Sequence, residues 1–97
     1  MSFENRGGIP RTRNETVDTT GRQYDLLGVC KRLQISNSGA NALRIFWELA
    51  DFTAGVNYIE LAATTGWFDG PVEKRYFWMQ GQVGNATVTY TAYMRRG

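Results

Sequence analysis

From Ala86 the sequence alternates without a break. Ala86, Val88, Tyr90, Ala92 and Met94 share one parity, and Thr87, Thr89, Thr91, Tyr93 and Arg95 share the other. Successive side chains of a strand point to opposite faces of a sheet, so a period of two marks a strand with one buried and one wetter side. Threonine, valine and tyrosine also suit a pleated surface. No stretch of comparable regularity has a helical period. The chain is thereby confined to β architecture, and its length sets the scale. Its 97 residues make one domain, and a domain of that size hides only roughly 60–70% of the surface its unfolded chain exposes. Three tryptophans, five tyrosines and five phenylalanines supply the large rings that a small core needs, each able to remove about 150–250 Å² from water.

Upstream, strand-like runs recur with turn chemistry between them. Leu26 to Ser36 reads as a strand, with Val29, Leu33 and Ile35 on one parity. Asn37-Ser38-Gly39-Ala40-Asn41 reads as a turn, rich in residues that tolerate positive φ or bond their own backbone. Ala42 to Glu48 is a second strand, so the pair reads as a hairpin. Leu49 to Gly55 reads as a structured loop that a single helical turn would also satisfy. Val56 to Leu61 is a third strand with Ile59 and Leu61 inside. Ala62 to Gly70 reads as a loop, and Asp69-Gly70-Pro71 is a strong turn signal. Val72 to Gln80 is a fourth strand, apolar on both parities through Tyr76, Phe77, Trp78 and Met79. Both of its faces are expected to be covered, one by core and one by a partner. The first 22 residues differ from the rest: Gly7, Gly8, Pro10, Gly21 and several threonines and arginines surround only Phe3, Ile9 and Val17. Such a segment cannot build a core. The expected organisation is an extended N-terminal arm over 1–22, with a short strand near Glu15–Thr19, and a sandwich domain over 23–97. The fold class is all-β, a small antiparallel β-sandwich, jelly-roll-like or immunoglobulin-like.

Reaction chemistry is hard to find. The chain has no histidine, which removes the commonest general base and zinc ligand and the Ser-His-Asp and Cys-His arrangements. Carboxylates of the body include Glu48, Asp51, Glu60, Asp69 and Glu73. Asp51 and Asp69 stand beside Phe52 and Phe68, where a raised pKa would suit acid–base work; the blander reading makes them turn residues that accept backbone N–H bonds. Cys30 stands alone, so no internal disulfide forms, and it reads as a structural or surface thiol. Gly7-Gly8 and the Gly81/Gly84 pair lack the residues of a phosphate loop. Net charge is +2, too mild for a nucleic-acid footprint without clustering, and Arg6, Arg11 and Arg13, or Arg95 and Arg96, read as solvated segments. No apolar run approaches the ~20 residues of a membrane span, and Met1 to Gly8 lacks the hydrophobic stretch of a signal peptide. The expectation is a soluble protein made in the cytoplasm, with no cofactor, no metal, no nucleic acid and no membrane partner.

Aromatic side chains are what remain. Trp67 and Phe68 read as loop residues, and Trp47, Tyr76 and Trp78 lie on strands. Rings can stack on sugars or bases, but a small β domain also spends rings on its core and on subunit interfaces, and that reading is the plainer one.

The order Asn-Ser-Gly-Ala-Asn-Ala-Leu-Arg-Ile-Phe-Trp from Asn37, Ala-Asp-Phe-Thr-Ala-Gly-Val-Asn-Tyr-Ile-Glu-Leu from Ala50, Phe-Asp-Gly-Pro-Val-Glu from Phe68 and the closing alternating strand to Met-Arg-Arg-Gly resembles small structural proteins of tailed bacteriophages that decorate or cement a capsid. The likeness covers about the last sixty residues; its motifs are distinctive as an ordered set and weak singly. It implies a β-sandwich on the capsid surface of a virion, made in the host cytoplasm, bound to the major capsid protein and assembled as a homo-oligomer, trimer or dimer. The expected function is non-enzymatic stabilisation of the capsid by protein–protein contacts. Phe3, Ile9 and Arg11 of the arm and Trp67, Phe68, Tyr76 and Trp78 of the body are the expected interface residues. The alternatives are a carbohydrate-binding module of a tail or fibre, with Trp67 and Phe68 on sugar rings and Asp69 on hydroxyls, and a tail-completion or connector protein.

Overall fold

The computed structural model describes the backbone of residues 9–94 and the side chains of 11–94. Eight strands run in chain order: β1 Ile9–Val17, β2 Arg22–Asp25, β3 Cys30–Asn37, β4 Leu43–Phe46, β5 Ile59–Leu61, β6 Trp67–Pro71, β7 Tyr76–Gly81 and β8 Ala86–Met94, with one helix, α1 Leu49–Ala54, between β4 and β5. Every pairing is antiparallel. β1 pairs with β8, β2 with β7, β3 with β6 and β4 with β5. These four pairs nest inside one another like the rungs of a single long hairpin whose tip is the β4–β5 connection. Rolling that hairpin adds β3 to β8 and β4 to β7. The result is two four-stranded sheets, β1-β8-β3-β6 and β2-β7-β4-β5, which is the strand order of a jelly roll.

The alternation of β8 fixes its orientation. Ala86, Val88, Tyr90, Ala92 and Met94 are all buried, and Thr87, Thr89, Thr91 and Tyr93 face outward. Against them, from the second sheet, stand Tyr24, Leu43, Ile45, Leu61, Phe77 and Met79, joined by Val17, Cys30, Leu33 and Ile35 of the first. The rings of Phe77 and Tyr90 meet edge to face at 5.4 Å across this core.

Several expectations change. β1 pairs with β8 over its whole length, from Ile9 opposite Met94 to Val17 opposite Ala86, and Val17 is wholly buried. The segment read as an arm is thus extended, but from Ile9 onward it is an edge strand of the sandwich, and the boundary drawn at residue 22 falls inside the sheets. Backbone pairing gives it a place despite its poverty in apolar side chains. The span read as one strand from Leu26 is cut by a corner at residues 26–29. The hairpin expected of Leu26–Ser36 and Ala42–Glu48 does not form: β3 and β4 lie in different sheets. Asn37, 1% exposed, makes the crossing. Its Nδ2 donates to the carbonyls of Asn41 at 2.8 Å and Ala62 at 3.2 Å, and its Oδ1 accepts from Gly39 N–H at 3.1 Å. A buried amide so satisfied replaces ladder bonds where the chain leaves one layer for the other. Asp69-Gly70-Pro71 is no turn but part of β6, an edge strand, where proline's missing N–H is tolerated.

Leu49 to Ala54 is a helix rather than a loop. Gly55 ends it at φ 71° and its N–H bonds the carbonyl of Asp51 at 2.8 Å, a left-handed stop that favours glycine. The helix explains the doubly apolar β7. Phe77 and Met79 enter the core, while Trp78 and its neighbour Phe46 on β4 face the outside of the second sheet. There Phe52 of α1 lies 5.4 Å from the ring of Phe46 and 6.4 Å from that of Trp78, and Tyr58 lies 5.4 Å from Phe46. The second cover of β7 therefore comes from the chain itself, not from a partner.

Candidate functional site

The seven residues expected at an interface do not form one patch. Phe3 and the side chain of Ile9 lie outside the described residues; the backbone of Ile9 opens β1. Arg11 is exposed on β1, and its Nη1 donates to the carbonyl of Leu26 at 3.3 Å. Trp67 points outward from β6 with 68% of its surface exposed. Phe68, its neighbour, points the other way and packs on the core, 5.6 Å from the ring of Trp47. Tyr76 is exposed at the start of β7 beneath the guanidinium of Arg75, 5.1 Å from its ring centre. Trp78 is buried under α1, with 9% of its surface exposed. Two separate surfaces result, one at an end of the sandwich and one on the outer face of the first sheet.

The end is built around Leu27. Asp25 closes β2, and its carboxylate takes the N–H of Leu27 at 2.8 Å together with Nε and Nη2 of Arg75 at 2.8 and 3.1 Å. These contacts, the Arg75 bond first and the Leu27 N–H second, hold its carboxyl below the usual range. On either side, Leu26 N–H bonds Arg75 O and Cys30 N–H bonds Lys74 O, each at 2.9 Å. The corner is therefore fixed from both flanks. It holds Leu27 at φ 63° with 60% of its surface exposed. A bulky residue at positive φ is strained, and here it presents an apolar group to water instead of burying one. Val29 is exposed beside it. The first residue of β1 and the last of β8 face each other as Ile9 and Met94, and Met94 also pairs with Cys30, so both ends of the described chain lie beside this corner.

On the outer face of the first sheet, register lines up two polar rows. One runs Asn14, Thr89, Ser36, Trp67 and the other Thr12, Thr91, Gln34, Asp69, across β1, β8, β3 and β6. Thr89 Oγ1 donates to Asn14 Oδ1 at 2.7 Å, and the Thr12 and Thr91 hydroxyls share a bond of 2.9 Å. Tyr93 Oη donates to Gln34 Oε1 at 3.1 Å, and Gln34 Nε2 donates to Asp69 at 3.2 Å. Arg32 grips Asp69 with two bonds, 2.9 and 2.8 Å. Those bonds, with that of Gln34, lower the Asp69 carboxyl to about 2. This is opposite to the raised value that acid catalysis would want, and the partners are side chains rather than the backbone N–H groups of a turn. Asp51 likewise accepts from a side chain, Asn57 Nδ2, at 3.2 Å.

Cys30 is wholly buried, its Sγ 3.2 Å from the carbonyl of Val72, and burial raises its thiol pKa. Among the described residues no three of Cys, Asp and Glu come together as metal ligands would, and no helix is long and apolar enough to cross a membrane. Sequence reasoning missed Leu27, because nothing in Asp-Leu-Leu-Gly announces which leucine turns outward. It saw the polar parity of β8 but could not see Gln34, Ser36 and Trp67 brought beside it, since β6 was read as a loop. No family model, curated protein or solved structure matches the chain.

Proposed function

We propose that the chain is a non-catalytic component of a tailed-bacteriophage particle, bound to the major capsid protein at the Leu27 end of the sandwich and acting by protein–protein contact. The resemblance of residues 37–97 to decoration and cement proteins supports the phage setting. The jelly roll is compatible with it, being an architecture that viral capsid proteins share with lectins and cupins, and that is analogy at the level of fold. The observation that carries the reading is Leu27: an exposed leucine held at positive φ by a corner braced on both flanks. Strain of this kind persists where the surroundings over-determine it, and it gathers at binding sites. An apolar anchor on a rigid corner loses little freedom on docking. The described chain begins at Ile9, beside the same corner.

Leu27→Asn separates the contact from the fold, because asparagine tolerates positive φ and removes the apolar group. Mixed with empty heads of the phage that encodes it and sedimented, the variant is expected to bind at least about tenfold more weakly, a loss of roughly 1.4 kcal/mol, with an undiminished melting temperature. Saturation of the heads at the wild-type concentration overturns the reading.

A further inference from the structure

The outer face of the first sheet is a second surface, independent of the Leu27 end, and it has a chemistry of its own. We propose that it binds a neutral glycan chain, with one pyranose stacked on Trp67 and its hydroxyls met by Ser36, Gln34, Thr89 and Asn14.

Three observations carry this. The first is the ring. Trp67 is the most exposed aromatic among the described residues, on a strand whose register sets it directly beside Ser36. A sugar offers one apolar C–H face and a rim of hydroxyls, and an indole among small polar side chains is complementary to both. The second is the polar lattice. Thr89, Thr91, Ser36, Gln34 and Trp67 line a shallow groove of about 250 Å³. Thr89, Thr91 and Gln34 are held by bonds to Asn14, Thr12, Tyr93 and Asp69 yet leave capacity: a hydroxyl has two acceptor lone pairs besides its donor, and Asn14 Nδ2 has no hydrogen bond to a described residue. The groove is smaller and more open than the ~300–1,000 Å³ pockets that engulf small molecules, as suits a chain lying along a sheet.

The third is charge. The charged pair on this part of the face, Arg32 and Asp69, neutralises itself through two hydrogen bonds. Little is left to attract an acidic glycan or a nucleic acid, whose binding rests on unpaired cations. A second copy of the chain fits no better. A stable protein interface buries roughly 800 Å² per partner around an apolar core, whereas a single indole is the large apolar group these two rows expose. Phe68 and Asp69 have no part in stacking or hydroxyl binding, since one faces the core and the other is taken by Arg32 and Gln34.

The test uses the full chain against an array of immobilised neutral and acidic glycans, followed by tryptophan-fluorescence titrations with cellohexaose, maltohexaose and the N-acetylglucosamine hexamer. Binding to a neutral glycan is expected, weakened about tenfold or more by Trp67→Ala, largely retained by Trp67→Phe and unaffected by Leu27→Asn. It is also expected to be flat between about 0.05 and 0.5 M salt, because no screened charge contributes. Unchanged melting of the variants separates loss of site from loss of fold. No neutral glycan bound, binding indifferent to Trp67→Ala, or a Trp67→Ala effect on head binding or solution mass instead of on glycans overturns the proposal.

Discussion

Asp69 shows how much at the residue scale depends on which way a strand faces. Arg32 and Gln34 of β3 reach it across the β3–β6 pair and hold its carboxyl at about 2, against an ordinary 3.8. Its folded pKa is thus depressed, so the unfolded chain binds more protons between the two values. The stability it contributes is fully present above about pH 4 and is lost as pH falls towards about 2. Asp69→Asn is therefore expected to lower the urea midpoint at neutral pH, with the difference from wild type shrinking as pH falls from about 4 and vanishing only below about pH 2; a difference independent of pH would contradict the assignment. Trp67 and Phe68 make the same point. As neighbours in sequence they read as a pair. Once they sit on a strand, alternation sends one into solvent and the other onto Trp47. The sequence carried that parity but hid it, because Asp-Gly-Pro is read as a turn wherever a neighbouring strand is not known.

At the scale of elements, β1 is the sharpest case. Arg11, Arg13 and Glu15 share the inward parity of Val17, so the strand puts charge where core residues would stand. This is what spoiled its reading as a strand, and it is also what an open edge needs, since inward-pointing charge discourages pairing with another chain. Glu15 meets Arg22 of β2 at 3.7 Å. Removing 1–17 strips β8 of β1, one of its two partners, along nine residues and opens the core at Val17. That shorter chain is expected to lose cooperative unfolding and the near-ultraviolet circular dichroism of a packed core; a native spectrum would show that β1 is dispensable. The helix teaches the converse. Phe52 was legible as an aromatic, but six residues are too few for helical periodicity to emerge, and only Phe46 and Trp78 beneath them give the helix a reason to form.

For the whole molecule, the nested pairings set the folding problem. β1 and β8 join the two extremes of the described chain, and β2–β7 and β3–β6 close long loops inside them. Loop-closure entropy is spent before such contacts return anything, so refolding is expected on the millisecond-to-second scale of non-local β folds. Stopped-flow tryptophan fluorescence measures it, and complete refolding within about 100 µs would contradict the topology. The all-β class and the orientation of β8, residue by residue, were determined by the sequence alone, because alternation and residue shape are local properties. The identity of the partners was not. Whether β3 pairs with β4 or with β8, whether Trp78 is covered by another protein or by α1, and whether Trp67 stands in a loop or on a polar sheet face depend on which distant segments arrive alongside. Hydrogen-bonding groups of a strand are the same in every residue but proline, so they cannot name their partner; the rolled-up packing of two sheets about one core does that.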